Sequence, residues 1–135
     1  VKVIVDTNVF ISGIVFAGVP GKIIEAWLKG LIQPVVSLDI LEEYRRVASD
    51  LGRRYKVNIG PFLEKLAIES PIWNVPSLPN QICSDPDDDK FLACALATGI
   101  KFIISGDKAL LDTSGFSNIN VLKPRVFVDR YILNT

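Results

Sequence analysis

Histidine and methionine are both absent from this chain of 135 residues, and cysteine occurs only as Cys83 and Cys94. Without an imidazole, chemistry that relies on a histidine acid–base pair is excluded. The two cysteines have no C-x-x-C spacing, so the expectation is buried free thiols in a reducing compartment, the cytoplasm, rather than a disulfide or a zinc site. Charge of one sign is missing too: 15 basic and 15 acidic side chains balance, which excludes a general polyanion binder working through net charge. Any nucleic-acid contact must come from local patches. Nor is there a long hydrophobic run. The most apolar early stretch, Val9 to Val19, contains Ser12, is too short to span a bilayer and follows Asp6 rather than a basic segment, so neither a membrane helix nor a signal peptide is expected. Position 1 is Val, so the initiator is removed, trimmed or read as Val.

What is present is apolar. Hydrophobic residues make up 49% and mean hydropathy is +0.33, enough to bury one core in a single domain over residues 1–135 and to point to a homodimer or higher homo-oligomer that covers part of the surface. No repeat, low-complexity tract or linker interrupts the chain. Strands are expected at Val3 to Val5, Pro34 to Ser37, Phe102 to Ser105 and Ile119 to Leu122, with a short edge strand at Ile72 to Val75. Helices are expected at Val9 to Val15, from Pro20-Gly21 to Gly30, at Leu38 to Arg54, Pro61 to Glu69 and Pro86 to Thr98, and from Pro124 onward. Strands separated by helices predict a three-layer α/β domain with a mostly parallel central sheet of four to five strands and right-handed crossovers. In such sheets the functional crevice lies beyond the carboxyl ends of the strands.

Asp6 falls at such an end, and Asp107 follows another after Gly106. Alone, Asp6 reads as a turn-shaping residue. On the helix from Leu38, about 100° per residue places Ile40, Leu41, Tyr44, Val47, Ala48 and Leu51 on one face, with Glu42 opposite and Glu43 at its border. Only Glu43 can lean toward the core edge, although for Glu43 alone a solvated flank is the simpler account. The run Ser84-Asp85-Pro86-Asp87-Asp88-Asp89-Lys90-Phe91 opens a helix that is apolar nearly all round. Capping by Asp85 and complementing the helix dipole explain much of the acid. They do not explain Asp88, which aligns with Phe91, Leu92 and Ala95 and needs a cation, a donor or a raised pKa. Asp87 and Asp89 diverge from that face and are expected in solvent. Asp6, Glu43, Asp88 and Asp107 are thus candidates for one pocket, and such a group needs a hard cation, Mg²⁺ or Mn²⁺.

Val5-Asp6-Thr7-Asn8, Ser37 to Tyr44, Asp85 to Ala95 and Ser105-Gly-Asp107-Lys-Ala-Leu-Leu111 together resemble the PIN-domain family of metal-dependent ribonucleases, in the family's order and across almost the whole chain. The last two stretches look like the prokaryotic VapC-like toxins of toxin–antitoxin pairs. The resemblance implies a sheet flanked by helices, with Asp6, Glu43, Asp88 and Asp107 as a catalytic quartet holding Mg²⁺ or Mn²⁺ and Asp85 as an auxiliary ligand. Thr7, Asn8 and Ser105 would brace it. It also implies an RNA substrate, a small antitoxin partner, self-association and no membrane. A metal-activated water would leave 5′-phosphate and 3′-hydroxyl ends, and the lack of histidine excludes a cyclic-phosphate mechanism that uses a histidine pair. Arg45, Arg46, Arg53, Arg54, Tyr55 and Lys56 form the basic segment that could hold RNA, Arg53 and Arg54 foremost, or simply a solvated helix end. Lys108 is expected near the substrate, a reading that rests only on its place beside Asp107 in the sequence. Two other readings compete. One is a PIN-like module that binds a partner without chemistry. The other, a phosphoacceptor receiver domain, would need an aspartate ending a central strand where this chain has Ile72-Trp73-Asn74-Val75.

Overall fold

Val3, Ile4 and Val5 carry no polar side-chain atom and are fully buried, as a strand covered on both faces requires. In the computed structural model, which describes residues 1–133, they lie in β1 (Lys2–Val5) with parallel neighbours on both sides. These are β2 (Gln33–Pro34) and β3 (Phe102–Ile104). β4 (Asn120–Leu122) pairs parallel with β3, giving the order β2-β1-β3-β4. Every pairing is parallel, so the carboxyl ends of the strands share one edge. The fifth strand expected at Ile72 to Val75 reduces to one parallel bridge between Trp73 and Ser37. Pro71 and Pro76 flank that stretch and offer no N–H to extend a ladder.

Helices flank the sheet: α1 (Thr7–Val15), α2 (Gly18–Leu28), α3 (Leu38–Tyr55), α4 (Gly60–Glu69), α5 (Asp89–Thr98), α6 (Lys108–Leu111) and α7 (Pro124–Phe127), the last continuing into a π turn at Val128–Ile132. α1 begins two residues earlier than its apolar pattern implies, because Asp6 occupies the cap position and its carbonyl accepts the Phe10 N–H at 3.0 Å. α1 and α2 cross so tightly that a Cβ at Gly13 would lie 2.5 Å from the Pro20 carbonyl oxygen, which reserves that position for glycine. Along α3, Ile40, Leu41, Tyr44 and Ala48 are buried while Glu42 is exposed, the stripe expected from the sequence. The helix expected over Pro86 to Thr98 is split. Pro86–Asp88 is a 3₁₀ turn, and α5 proper starts at Asp89 and ends at Gly99, whose φ of +75° fits the left-handed cap. Both cysteines are buried and free, and among the described residues no single helix is long and apolar enough to cross a membrane.

Candidate active site

Asp6 is the first residue beyond β1, and its N–H still donates to the Ile104 carbonyl at 2.9 Å. Ser105 is the first beyond β3, where its N–H reaches the Leu122 carbonyl at 3.0 Å. Parallel register therefore sets Asp6 and Ser105 side by side, and the buried Ser105 Oγ–H donates to Asp6 Oδ2 at 2.6 Å. The same hydroxyl oxygen accepts the Asp107 N–H at 3.0 Å, so one serine ties two acids to the sheet edge. Asp107 in turn caps α6, its Oδ1 accepting from the Ala109 N–H at 3.2 Å. Burial pushes the Asp6 carboxyl up from its ordinary range; the Ser105 hydrogen bond opposes this, and the charges of Asp107 and Glu43 add to it.

The acidic turn before α5 meets this edge. Asp85 caps it as the sequence implies, accepting the Asp87 N–H at 3.0 Å. Asp88 is half-buried, and its Oδ2 is, among the described residues, the buried side-chain oxygen left without a hydrogen-bond donor. Burial, followed by the neighbouring carboxyls of Asp107, Asp6 and Asp85, raises Asp88 to a pKa of about 8. Near neutral pH it therefore keeps a proton that it can share with Asp107. The expected solvent position of Asp89 is corrected. Its carboxylate accepts the backbone N–H groups of Ile82 and Cys83, the latter at 2.7 Å, and so fastens the preceding loop onto α5.

Glu43 reaches the same region from α3 in a different state. Its Oε2 accepts the Thr7 hydroxyl, its Oε1 lies 2.8 Å from the Lys90 ammonium, and Arg46 stands 3.6 Å away. Lys90 also lies 3.3 Å from Asp87. Its own burial favours losing the proton, but Glu43 and Asp87 outweigh that and hold it charged. Two open clefts flank the acids. One of about 440 Å³ is lined by Asp6, Asn8, Gly106 and Asp107, and another of about 500 Å³ by Glu43, Arg46, Asp87, Lys90 and the loop around Ser77.

The family profile described as PIN domain matches residues 2–109, a span that contains all four acids and Lys90. The chain belongs to the PIN domain family. A curated relative, the uncharacterized protein MJ1680 of Methanocaldococcus jannaschii, is 32% identical over 143 residues, covering 97% of this chain and 92% of the relative. Among solved structures there is no significant match. PIN domains are generally nucleases and generally use divalent metals.

This PIN domain can be tested for such an ion from its own side chains. The donors are carboxylate and hydroxyl oxygens, the chemistry that suits Mg²⁺ or Mn²⁺. The orphaned Asp88 oxygen and the raised Asp6 and Asp88 mark a place where positive charge is wanted. The donor set fits. Its geometry is not closed, however: among the described residues no group of three or more Asp, Glu, Cys or His side chains is arranged to hold a metal ion. The remaining sequence candidates lie further out. Asn8 is exposed on the smaller cleft. Lys108 is 88% exposed and pairs at 2.9 Å with Asp112, the residue that follows α6. Arg53 and Arg54 are exposed in the last turn of α3, where Arg53 faces Asp50 at 3.8 Å. Lys90 is the residue the sequence reading passed over. Its available signal is position: a lysine three residues after Asp87, at the border between the acidic run and the buried face.

Proposed function

We propose that this PIN domain is a Mg²⁺- or Mn²⁺-dependent endoribonuclease that hydrolyses RNA phosphodiesters to 5′-phosphate and 3′-hydroxyl ends. The observation that carries the proposal is the buried Asp88 oxygen that has no donor and lies beside Asp107 and Asp6. Asp6, Asp88 and Asp107 would hold the ion, with Glu43 alongside and Asp85 at the rim. When bound, such an ion lowers the pKa of a water and offsets charge on the phosphate. Ser105 fixes the spacing of Asp6 and Asp107, and Thr7 orients Glu43. With no histidine in the chain, a carboxylate at this edge is the group placed to accept the proton of the attacking water. The open cleft of about 440 Å³ beside Asp6 and Asp107 leaves room for the phosphodiester.

The resemblance of Asp85 to Ala95 and of Ser105 to Leu111 to prokaryotic toxins supports a cytoplasmic role as the toxin of a toxin–antitoxin pair, restrained by a small protein. Exposed Phe16, Leu28, Leu31 and Tyr55 favour self-association. The primary test is cleavage of single-stranded RNA with Mn²⁺ or Mg²⁺, with product ends mapped, beside Asp6→Asn. Metal-dependent products with 5′-phosphates that vanish in the variant are expected. Full activity in EDTA, or 2′,3′-cyclic ends, would overturn the mechanism. Arrested growth on expression of the wild type and none with Asp6→Asn is the corresponding test of toxicity.

A further inference from the structure

We propose that Lys90 is a positioning residue that withholds Glu43 from the metal-binding group, so that the ion is held by Asp6, Asp88 and Asp107 without Glu43. This rests on the metal-dependent reading above. The evidence is how completely Glu43 is already engaged. One carboxylate oxygen accepts the Thr7 hydroxyl, and the other meets Lys90 at 2.8 Å. The Glu43 and Lys90 side chains are only 13% and 15% exposed, so the pair is mostly covered although it lines the larger cleft. Breaking such a pair leaves an uncompensated charge. Asp88 offers the contrast, since its buried oxygen has no donor. A divalent ion arriving at this edge meets a carboxylate that needs it at Asp88 and a satisfied one at Glu43.

The pair also lies between two elements that carry the acids. Glu43 comes from α3, Lys90 from the first turn of α5 directly after Asp88, and Thr7 from the start of α1 directly after Asp6. Lys90 thereby sets where the Asp88 end of α5 sits relative to Asp6, and it limits the charge the ion encounters. Four free carboxylates would bind a divalent cation more tightly than three beside an internal ion pair.

Mn²⁺ affinity measured by electron paramagnetic resonance, with melting temperature in EDTA as a separate readout, tests this in four variants. Lys90→Met removes the nearer of the two cations on Glu43 Oε1 and leaves the exposed Arg46 at 3.6 Å, so Mn²⁺ should bind on the order of tenfold more tightly while the metal-free protein melts lower. Glu43→Gln/Lys90→Met deletes the pair without changing net charge and should bind Mn²⁺ within about threefold of wild type. Lys90→Arg keeps the pair and should match wild type. Asp88→Asn should lose binding. Should the double variant lose Mn²⁺ as severely as Asp88→Asn, Glu43 is a ligand and the proposal falls while the metal reading stands. An unchanged or weaker affinity in Lys90→Met overturns it as well. Absence of Mn²⁺ binding to the wild type removes the metal reading itself, and this proposal with it.

Discussion

The acidic edge of this PIN domain has two halves that treat the same chemistry oppositely. Around Glu43 the protein supplies its own cations, Lys90 and more distantly Arg46, and a donor, Thr7. Around Asp88 it supplies only further carboxyls, from Asp107, Asp6 and Asp85. Carboxylates packed close together must be offset by charge or by protons, and the fold does the first at one end and the second at the other. A buried acid with an internal partner is thus a structural element, whereas one left with only other acids stores unfavourable free energy that a foreign cation can relieve.

The sharpest way to break this contrast is Asp88→Asn. If Asp88 holds the proposed ion, metal-dependent cleavage should fall at least about a hundredfold. Melting in EDTA should move the other way. Above pH 8, where Asp88 is ionised, an amide does not carry the penalty of a half-buried carboxylate with no donor, so the metal-free protein should gain about 1–2 kcal/mol there, discounted for its partial exposure, or roughly 4–8 °C. If the variant melts lower than wild type in EDTA, Asp88 is a structural acid after all.

Metal and pH act on the same unpaired half. Asp88 titrates near 8 in the folded chain against an ordinary 3.8, so the folded state holds a proton that the unfolded state releases. The stability this contributes is fully present below about pH 4, declines as pH rises toward 8, and is gone above it. Asp6, raised in the same sense, adds to the decline. In EDTA, melting temperature should therefore fall from pH 5 to pH 8, with a shallower fall in Asp88→Asn. Mn²⁺ at about a hundred times its dissociation constant should add about 2.7 kcal/mol, and its effect should grow across the same pH range as the acids deprotonate. A metal-induced shift independent of pH would separate the binding group from Asp88.

The two halves were not equally legible in the sequence. Apolar runs located β1 and β3, and the carboxyl edge of a parallel sheet lies just beyond them, so the positions of Asp6 and Asp107 were readable, whereas Ser105 entered only through the family resemblance. Helical spacing singled out Asp88 because it shares a face with Phe91, Leu92 and Ala95. The Lys90 and Glu43 pair spans 47 residues of chain and depends on how α3 and α5 pack, which no local period records. The 3₁₀ turn at Pro86–Asp88 escaped for a similar reason. It ends at Asp89, whose carboxylate holds the N–H groups of Ile82 and Cys83 rather than pointing into solvent. The four-residue α6 is too short to show a period and is marked only by its Asp107 cap.

Comparing two hydroxyls tests the contrast at smaller amplitude. Ser105→Ala removes the donor to buried Asp6 and the acceptor for the Asp107 N–H together. It should cost about 1–3 kcal/mol and roughly tenfold in cleavage. Thr7→Val removes a donor from Glu43, which keeps Lys90, so its cost should stay below about 1 kcal/mol. Chemical denaturation of both variants gives the ranking directly, and a Thr7 effect as large as that of Ser105 would mean that Lys90 does not compensate Glu43.

The smallest effect should come from charges in neither half. Arg53 is exposed at the far end of α3, close to Asp50, and ten residues of helix put it about 15 Å along the axis from Glu43. A single strand crossing the Asp6 and Asp107 cleft need not travel that way. Arg53→Ala should accordingly leave cleavage within about twofold and the salt dependence of RNA binding unchanged, since each lost phosphate contact would flatten the slope by about 0.7. A flatter slope would show that RNA runs along α3 past Arg46, over the paired half of the edge. Lys90 would then face the substrate backbone as well as Glu43.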